Sequence, residues 1–281
     1  MLNEFLLESL KEEGKRLGVP LGKERALIRE YLQTRIIYLL YNKPLSKRFS
    51  FIGGTSLRIL RNLDRFSEDL DFDNLGLKFL QIKNLFLEIK NELSREGFEI
   101  DYKIKKTDGS GIGEFKFKNL IFQLKISSHK EERLVIKINY TTPKIKPKTE
   151  VVILNRFGFV QGILTNTPEF LLAGKMRAIL TRKDLQPRDL YDVVWFLSKN
   201  IHPDIALFHG TEFKNEKDLF KKLQEVFEKK VKSNLSSLEN RLKPFLIQEK
   251  NIYYLDIFGD LMKKMAKNSL TKRFQFGSMQ S

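Results

Sequence analysis

The chain has 281 residues, of which 41% are hydrophobic and 31% charged, a composition typical of globular proteins that excludes an intrinsically disordered chain. Its 51 basic residues outnumber 35 acidic ones, which gives a net charge of +16. This charge favours a polyanionic partner, and nucleic acid is the first candidate. The alternative is that lysine is simply common over the whole surface. The absence of cysteine excludes disulfides, zinc–thiolate sites and a thiol nucleophile.

No apolar run is long enough to cross a membrane, and the first residues lack the cleavage site of a secretory signal. We therefore expect a cytoplasmic protein with no membrane partner. Apolar residues at helical spacing predict two scaffold helices, over residues 2–17 and 22–42.

The stretch from residue 48 to residue 74 carries the strongest local signal. Apolar residues up to Ile52 predict a strand, and Gly53-Gly54 followed by Thr55 and Ser56 predicts a turn into a helix. Free N–H groups at such a helix start suit a phosphate. The alternative is a tight turn with an ordinary N-cap.

Acidic residues then recur at every second position, as Asp69, Asp71 and Asp73. Alternate side chains of a strand share a face, so Asp69 and Asp71 would lie roughly 6.5–7 Å apart at Cα and could bind one hard cation. Mg²⁺ prefers carboxylates together with substrate phosphates. A solvated strand face is the alternative for the acids alone.

Amphipathic spacing predicts a helix over residues 78–96, and period-two alternation predicts strands in the segments 98–106, 114–128, 133–141 and 149–164. The glycine-rich segment 109–113 is interpreted as a hairpin turn because no helix follows it. The segment PKIKPK, residues 143–148, is the best candidate linker, and we expect a first domain over 1–160 and a mainly helical second domain over 161–281.

The second domain begins with predicted helices over 168–182 and 188–199, followed by further helices to residue 275 and a frayed end, RFQFGSMQS. Lys175 and Arg182 are seven residues apart and share a face. Asp189 is interpreted as a helix-start acid, whereas Asp192 lies beyond the first turn and could hold Lys175 or Arg188 in place. An ordinary surface lysine is the alternative for Lys175.

These segments resemble a known family. Gly53-Gly54-Thr55-Ser56 followed by Arg65-Phe66-Ser67-Glu68-Asp69-Leu70-Asp71-Phe72 resembles the signature of the AbiEii toxin nucleotidyltransferases, a branch of the DNA polymerase β-like superfamily that acts in type IV toxin–antitoxin pairs. The run Lys175…Arg182…Arg188-Asp189-Leu190-Tyr191-Asp192 resembles the second signature of that family. The resemblance implies an α+β fold, in which a mixed sheet flanked by helices forms the nucleotidyltransferase core and a mainly helical region follows.

The resemblance also implies site roles. Asp69 and Asp71 would hold Mg²⁺ or Mn²⁺, Lys175 would steady the leaving phosphates, and Asp192 would orient Lys175 or the acceptor hydroxyl. The residues that would bind the nucleotide are Gly53, Gly54, Thr55, Ser56, Arg65, Ser67 and Arg188. The implied reaction moves a nucleoside monophosphate from an NTP to an acceptor, RNA such as tRNA, in a toxin that has a cognate antitoxin.

One position departs from the superfamily pattern. A third carboxylate is expected on a later strand, yet Asn139 occupies that place in LVIKINY. Asparagine binds metal weakly through its carbonyl, which puts a two-metal site in doubt. A catalytically impaired module that binds nucleotide or RNA is therefore a second hypothesis, and transfer to a protein or small molecule, as in kanamycin nucleotidyltransferase-like or kinase-like relatives, is a third.

Overall fold

A computed structural model describes residues 2–268 of the chain. The chain divides into two compact units, with the division after Asn166. The boundary expected at residue 160 would cut the last strand of the sheet, Phe159–Asn166, which belongs to the first unit. The segment 143–148 lies between two strands of that unit and is not an interdomain linker.

The first unit is built from five helices and seven strands among the described residues. The helices are α1 (Leu2–Arg16), α2 (Glu24–Tyr41), α3 (Gly53–Arg61), α4 (Phe79–Arg95) and the single turn α5 (Leu120–Gln123). The strands are β1 (Phe49–Ile52), β2 (Leu70–Asn74), β3 (Ile100–Thr107), β4 (Ser110–Phe117), β5 (Leu134–Thr141), β6 (Thr149–Arg156) and β7 (Phe159–Asn166).

The seven strands form one mixed sheet in the order β3-β4-β5-β2-β1-β7-β6. The pairs β2–β5 and β1–β7 are parallel, and the other neighbours are antiparallel. The expected mixed sheet flanked by helices is thus confirmed. Edge strands β3 and β6 end the sheet on opposite sides.

The two faces of the sheet differ in chemistry. The core face carries buried apolar residues such as Phe51, Phe72 and Ile138, which pack with the apolar stripes of α2 and α4. Strand alternation places the intervening residues on the opposite face. We call it the site face, and cross-strand pairing puts on it Ile52, Asp71, Asn139, Ile112 and Lys105 in one row.

A buried ion network joins α2, α3 and β6. The Glu30 carboxylate accepts hydrogen bonds from Arg58 Nε at 2.9 Å and from Arg156 Nη1 at 2.8 Å, and all three side chains are buried. Arg156 also donates to the carbonyl of Arg58 and to Asn62 Oδ1. The network fixes α3, the helix that starts at Gly53, against its neighbours.

Two sequence predictions about strands are wrong in part. The segment 114–128 is not one strand, because β4 ends at Phe117 and Asn119, with φ of 57°, turns the chain into α5. The hairpin turn is shorter than predicted, since Thr107 pairs with Ser110 and Gly111 and Gly113 lie inside β4.

The second unit is helical, as expected. Its helices are α6 (Pro168–Thr181), α7 (Pro187–Ser198), α8 (Glu216–Val226), α9 (Leu235–Leu242) and α10 (Tyr254–Asn268), with short 3₁₀ segments and a π-helical turn over Phe227–Val231. The predicted frayed end, residues 273–281, lies outside the described residues.

Candidate active site

The junction of β1 and α3 brings several of the sequence-predicted residues together. Gly53 has φ of 78°, a conformation that glycine adopts without steric cost. A Cβ on Gly53 would lie 3.0 Å from Asp71 Cβ and closer to its Oδ2, while one on Gly54 would lie 2.7 Å from Arg65 Nη2 and 2.9 Å from Ser67 Oγ. The two glycines therefore let Asp71, Arg65 and Ser67 approach the backbone at the start of α3.

The hydroxyls of Thr55 and Ser56 are used within the fold. Thr55 Oγ1 donates to the carbonyl of Asp69 at 2.5 Å, and Ser56 Oγ donates to the carbonyl of Gly53 at 2.9 Å. Both residues are buried. Their side chains lock the turn, so a ligand at this helix start would meet main-chain N–H groups.

Strand β2 begins at Leu70, so Asp69 immediately precedes it and Asp71 is its second residue. Asp71 pairs in register with Ile52 on β1 and with Asn139 on β5. Asn139 Nδ2 donates to Asp71 Oδ1 at 2.9 Å. Asn139, at the position where an acid was expected, thus orients the Asp71 carboxylate, whose Oδ2 faces Gly53.

Asp73, the third acid of the alternating run, has a different environment. It is buried, and Asn166 Nδ2 donates to its Oδ2 at 2.8 Å while Ser50 Oγ donates to Asn166 Oδ1 at 2.7 Å. Burial raises the pKa of Asp73, and the hydrogen bond from Asn166 opposes that effect. Asp73 is therefore tied into the sheet.

A cation outside both predicted signatures, Arg29, lies on α2. The Arg29 guanidinium donates to the carbonyl of Val135 at 2.8 Å. Burial lowers the pKa of Arg29, and the negative charges of Glu68 and Asp69 act in the opposite direction. Arg29 therefore places a positive charge within electrostatic range of Asp69, a relation between distant segments that no local motif signals.

In the second unit, two buried carboxylates of α7 pair with cations on and just after α6. Lys175 Nζ lies 3.0 Å from Asp189 Oδ1 and 2.8 Å from Asp192 Oδ2, and Arg182 also pairs with Asp189. Asp192 is fully buried and Asp189 nearly so. Buried carboxylates require such partners because an unpaired buried charge is costly. Asp189 is thus a partner of two cations, not merely a helix-start acid.

Arg188 lies at the start of α7, with its guanidinium carbon 4.4 Å from the centroid of the Phe245 ring. This cation–π contact holds the side chain of Arg188 against the Phe245 ring.

No helix among residues 2–268 is long and apolar enough to span a membrane.

Comparison with known proteins decides the family. The model of the nucleotidyl transferase AbiEii toxin family, type IV toxin–antitoxin system, matches residues 35–263, which include every residue of both predicted signatures. The chain belongs to the AbiEii family. It is thus a nucleotidyltransferase of a toxin–antitoxin family, and the resemblance seen in the sequence is confirmed.

Solved structures share the AbiEii fold of this chain. JHP933 from Helicobacter pylori is 24% identical over 89% of this chain and 97% of its own, with a TM-score of 0.56. A second H. pylori structure, of a protein assigned as a nucleotidyltransferase, is 23% identical over 88% of this chain and 98% of its own, with a TM-score of 0.54. A comparison with curated proteins gives no match.

The donor set of this AbiEii chain fits a hard divalent cation. Asp69 and Asp71 offer carboxylate oxygens, the ligands that Mg²⁺ prefers. The hydrogen bond from Asn139 reaches Oδ1 of Asp71 and not Oδ2, so Asn139 does not compete with a cation for Oδ2. Within residues 2–268, no three His, Cys, Asp or Glu side chains form a metal-binding group. Two carboxylates suffice where water and substrate phosphates complete the coordination of Mg²⁺.

Proposed function

We propose that this chain transfers a nucleoside monophosphate from an NTP to an RNA acceptor such as tRNA, in the presence of Mg²⁺ or Mn²⁺. One observation carries the proposal: the Asp71 carboxylate, oriented by Asn139, lies against Gly53 at the start of α3. An acid for the cation and a helix start for phosphate are therefore adjacent, as phosphoryl chemistry requires.

In this proposal the acceptor hydroxyl oxygen forms a bond to the α-phosphorus, the bond to the leaving pyrophosphate breaks, and the hydroxyl proton passes to water. Backbone N–H groups at Gly53, Gly54, Thr55 and Ser56 hold the phosphates, with Arg65 and Ser67 beside them. When bound, the divalent cation supplies positive charge to the phosphates. Asp69 and Asp71 would hold that cation, and positioning by the chain's own residues contributes most of the remaining acceleration.

The helical unit supplies the other proposed roles. Lys175 steadies the leaving phosphates, and Asp192 fixes that lysine. Their short ion pair supports this assignment, because a fully buried Asp192 holds the ammonium group in one place. Arg188, held against Phe245, contacts the nucleotide.

A basic region of the site face supports a nucleic-acid acceptor. Lys105 lies in the same cross-strand row as Asp71 and Asn139, and Lys103 and Lys137 lie in the neighbouring row, where both pair with Glu114. All three lysines are exposed. An acceptor phosphate chain on this face would approach the acids along a line of positive charge.

A cognate antitoxin and a cytoplasmic location complete the proposal.

The test is Mg²⁺-dependent labelling of total tRNA with each α-labelled NTP. Wild type should incorporate label and add the mass of one nucleotide, and Asp69→Ala and Asp71→Asn should lose incorporation by at least about a hundredfold, the scale for removing an electrostatic stabiliser. Asp101→Asn, which removes a partly exposed acid of β3, is the matched control and should match wild type. Normal transfer by Asp71→Asn would overturn the site assignment.

A second function is favoured by Asn139. Because an amide stands where the superfamily has an acid, the chain could bind NTP or RNA without transferring nucleotide. NTP binding by calorimetry together with no labelling of any RNA, protein or small-molecule pool would establish that binding module. A product heavier by one phosphate would instead indicate kinase-like transfer.

A further inference from the structure

The two edges of the sheet are protected very differently. An exposed edge strand offers unpaired N–H and C=O groups, and proteins commonly guard such edges with lysine or proline. Edge strand β3 carries three exposed lysines, Lys103, Lys105 and Lys106. Edge strand β6 has neither lysine nor proline, and Glu150, its one charged residue before Arg156, pairs with Arg61 at 2.6 Å.

The unguarded edge also carries a contiguous apolar surface. Val151 and Ile153 on β6 are 65% and 62% exposed, and Val160 on β7 is 61% exposed. The β6–β7 register places Leu164 opposite Val151 and Gly162 opposite Ile153, on the same face. Scattered apolar residues are ordinary on protein surfaces, but contiguous ones mark interaction sites. We call the three exposed residues Val151, Ile153 and Val160 the β6–β7 patch.

We propose that the β6 edge pairs with the β6 edge of a second copy of this chain, in an antiparallel and two-fold symmetric arrangement. In such an interface the same strand must complement itself. A two-fold axis at Val152 sets Val151 opposite Ile153 of the partner subunit, so both exposed apolar residues meet apolar residues. Moving the two-fold axis to Val151 would set Ile153 opposite Thr149 of the partner subunit. Moving it to Ile153 would set Val151 opposite Asn155 of the partner subunit. Either shift would pair one of the exposed apolar residues with a polar one.

Charge favours the same occupant. Each copy has a net charge of +16, so two copies repel unless they meet where positive charge is sparse. Strand β6 offers such a place, because it has no lysine and its one arginine, Arg156, is buried. The paired edges would join two seven-stranded sheets and bring the two copies of the β6–β7 patch side by side on one face of the extended sheet.

Sedimentation of the full chain over a wide range of protein concentration tests the interface. Wild type should form a dimer, and Ile153→Lys should shift the chain to a monomer with an unchanged far-UV spectrum. Leu80→Lys is the matched control, because Leu80 lies on α4 with a similar exposure of 64%, and it should remain dimeric. A monomeric wild type, or an Ile153→Lys variant that dimerises as wild type does, would overturn the proposal.

The absence of native cysteine permits a test of the register. Directly opposite Cα atoms in an antiparallel pair lie roughly 4.5–5.5 Å apart, within disulfide range. Under mild oxidation, Val152→Cys should cross-link to its own copy more than Val151→Cys or Ile153→Cys. If Val152→Cys cross-links no more than Leu80→Cys, another occupant, such as a strand of a different protein, would replace the second copy.

Discussion

At the scale of single residues, the proposed active site depends on how closely the Asp71 carboxylate approaches the backbone of Gly53. A methyl group at residue 53 would meet the Asp71 carboxylate and would also require a left-handed conformation, which costs roughly 1–2 kcal/mol for a residue with Cβ. Gly53→Ala should therefore lower stability by about that amount and reduce nucleotide transfer. Urea unfolding and the labelling rate measure the two effects.

Gly22→Ala is the matched control for that substitution. Gly22 has φ of 84° but nothing within 4 Å of an added Cβ, so it isolates the backbone strain from the contact with Asp71. Gly22→Ala should lose similar stability and retain full transfer. Equal activity in the two variants would show that the approach of Asp71 to the backbone is not needed.

Asn139 is the second decisive residue. Asn139→Asp would place a carboxylate where an amide now donates to Asp71 at 2.9 Å, and two like charges would repel. The melting temperature should therefore fall in EDTA and recover in Mg²⁺, with a larger Mg²⁺ shift than in wild type. The same Mg²⁺ shift in both proteins would argue that no cation binds beside Asp71.

At the scale of elements, the Glu30 network holds α3 in position. Glu30→Gln would leave the buried guanidinium groups of Arg58 and Arg156 without their counter-charge, and breaking one partner of a buried ion pair costs about 3–5 kcal/mol. Glu8→Gln, in the exposed pair with Lys11, should cost under about 1 kcal/mol.

Urea unfolding followed by circular dichroism measures both variants. The single tryptophan, Trp195, lies in the helical unit, so its fluorescence reports separately on that unit. A loss in Glu30→Gln no larger than that in Glu8→Gln would show that α3 is held by apolar packing alone.

The limits of sequence reasoning are visible in the same elements. The β1–α3 junction and the acids of β2 were predictable because their chemistry is local, a glycine turn and a period of two. The Glu30 network was not, since Glu30 lies 28 residues from Arg58 and 126 from Arg156. The prediction of one strand over segment 114–128 failed because its apolar residues fit both a strand period of two and a helical period. The left-handed conformation of Asn119, which separates the strand from the helix, is not marked by either pattern.

The helical unit shows the same division. Helical spacing in the sequence suggested that Asp192 could hold Lys175. The structure contains that ion pair between neighbouring helices. Spacing alone did not separate Asp189 from an ordinary first-turn acid, because its pairing with Lys175 and Arg182 depends on how α6 packs against α7. Tertiary packing, not helical propensity, decides that role.

At the scale of the whole molecule, the effect of the net charge of +16 on RNA binding depends on where the lysines lie on the surface. Exposed Lys105 and Lys137 share the site face with Asp71, whereas exposed Lys83 lies on α4, whose apolar stripe packs on the core face. A phosphate backbone on the site face would contact the first pair but not Lys83. Charge position, more than total charge, should therefore govern acceptor binding.

The double variant Lys105→Glu and Lys137→Glu should weaken RNA binding by about tenfold or more and should flatten its dependence on salt, because fewer counterions are released on binding. Lys83→Glu with Lys90→Glu makes the same change in net charge on α4 and should leave binding near that of wild type. Filter binding of tRNA across a salt series measures both. If the two double variants lose affinity equally, the RNA responds to net charge and the site face has no special part in acceptor recognition.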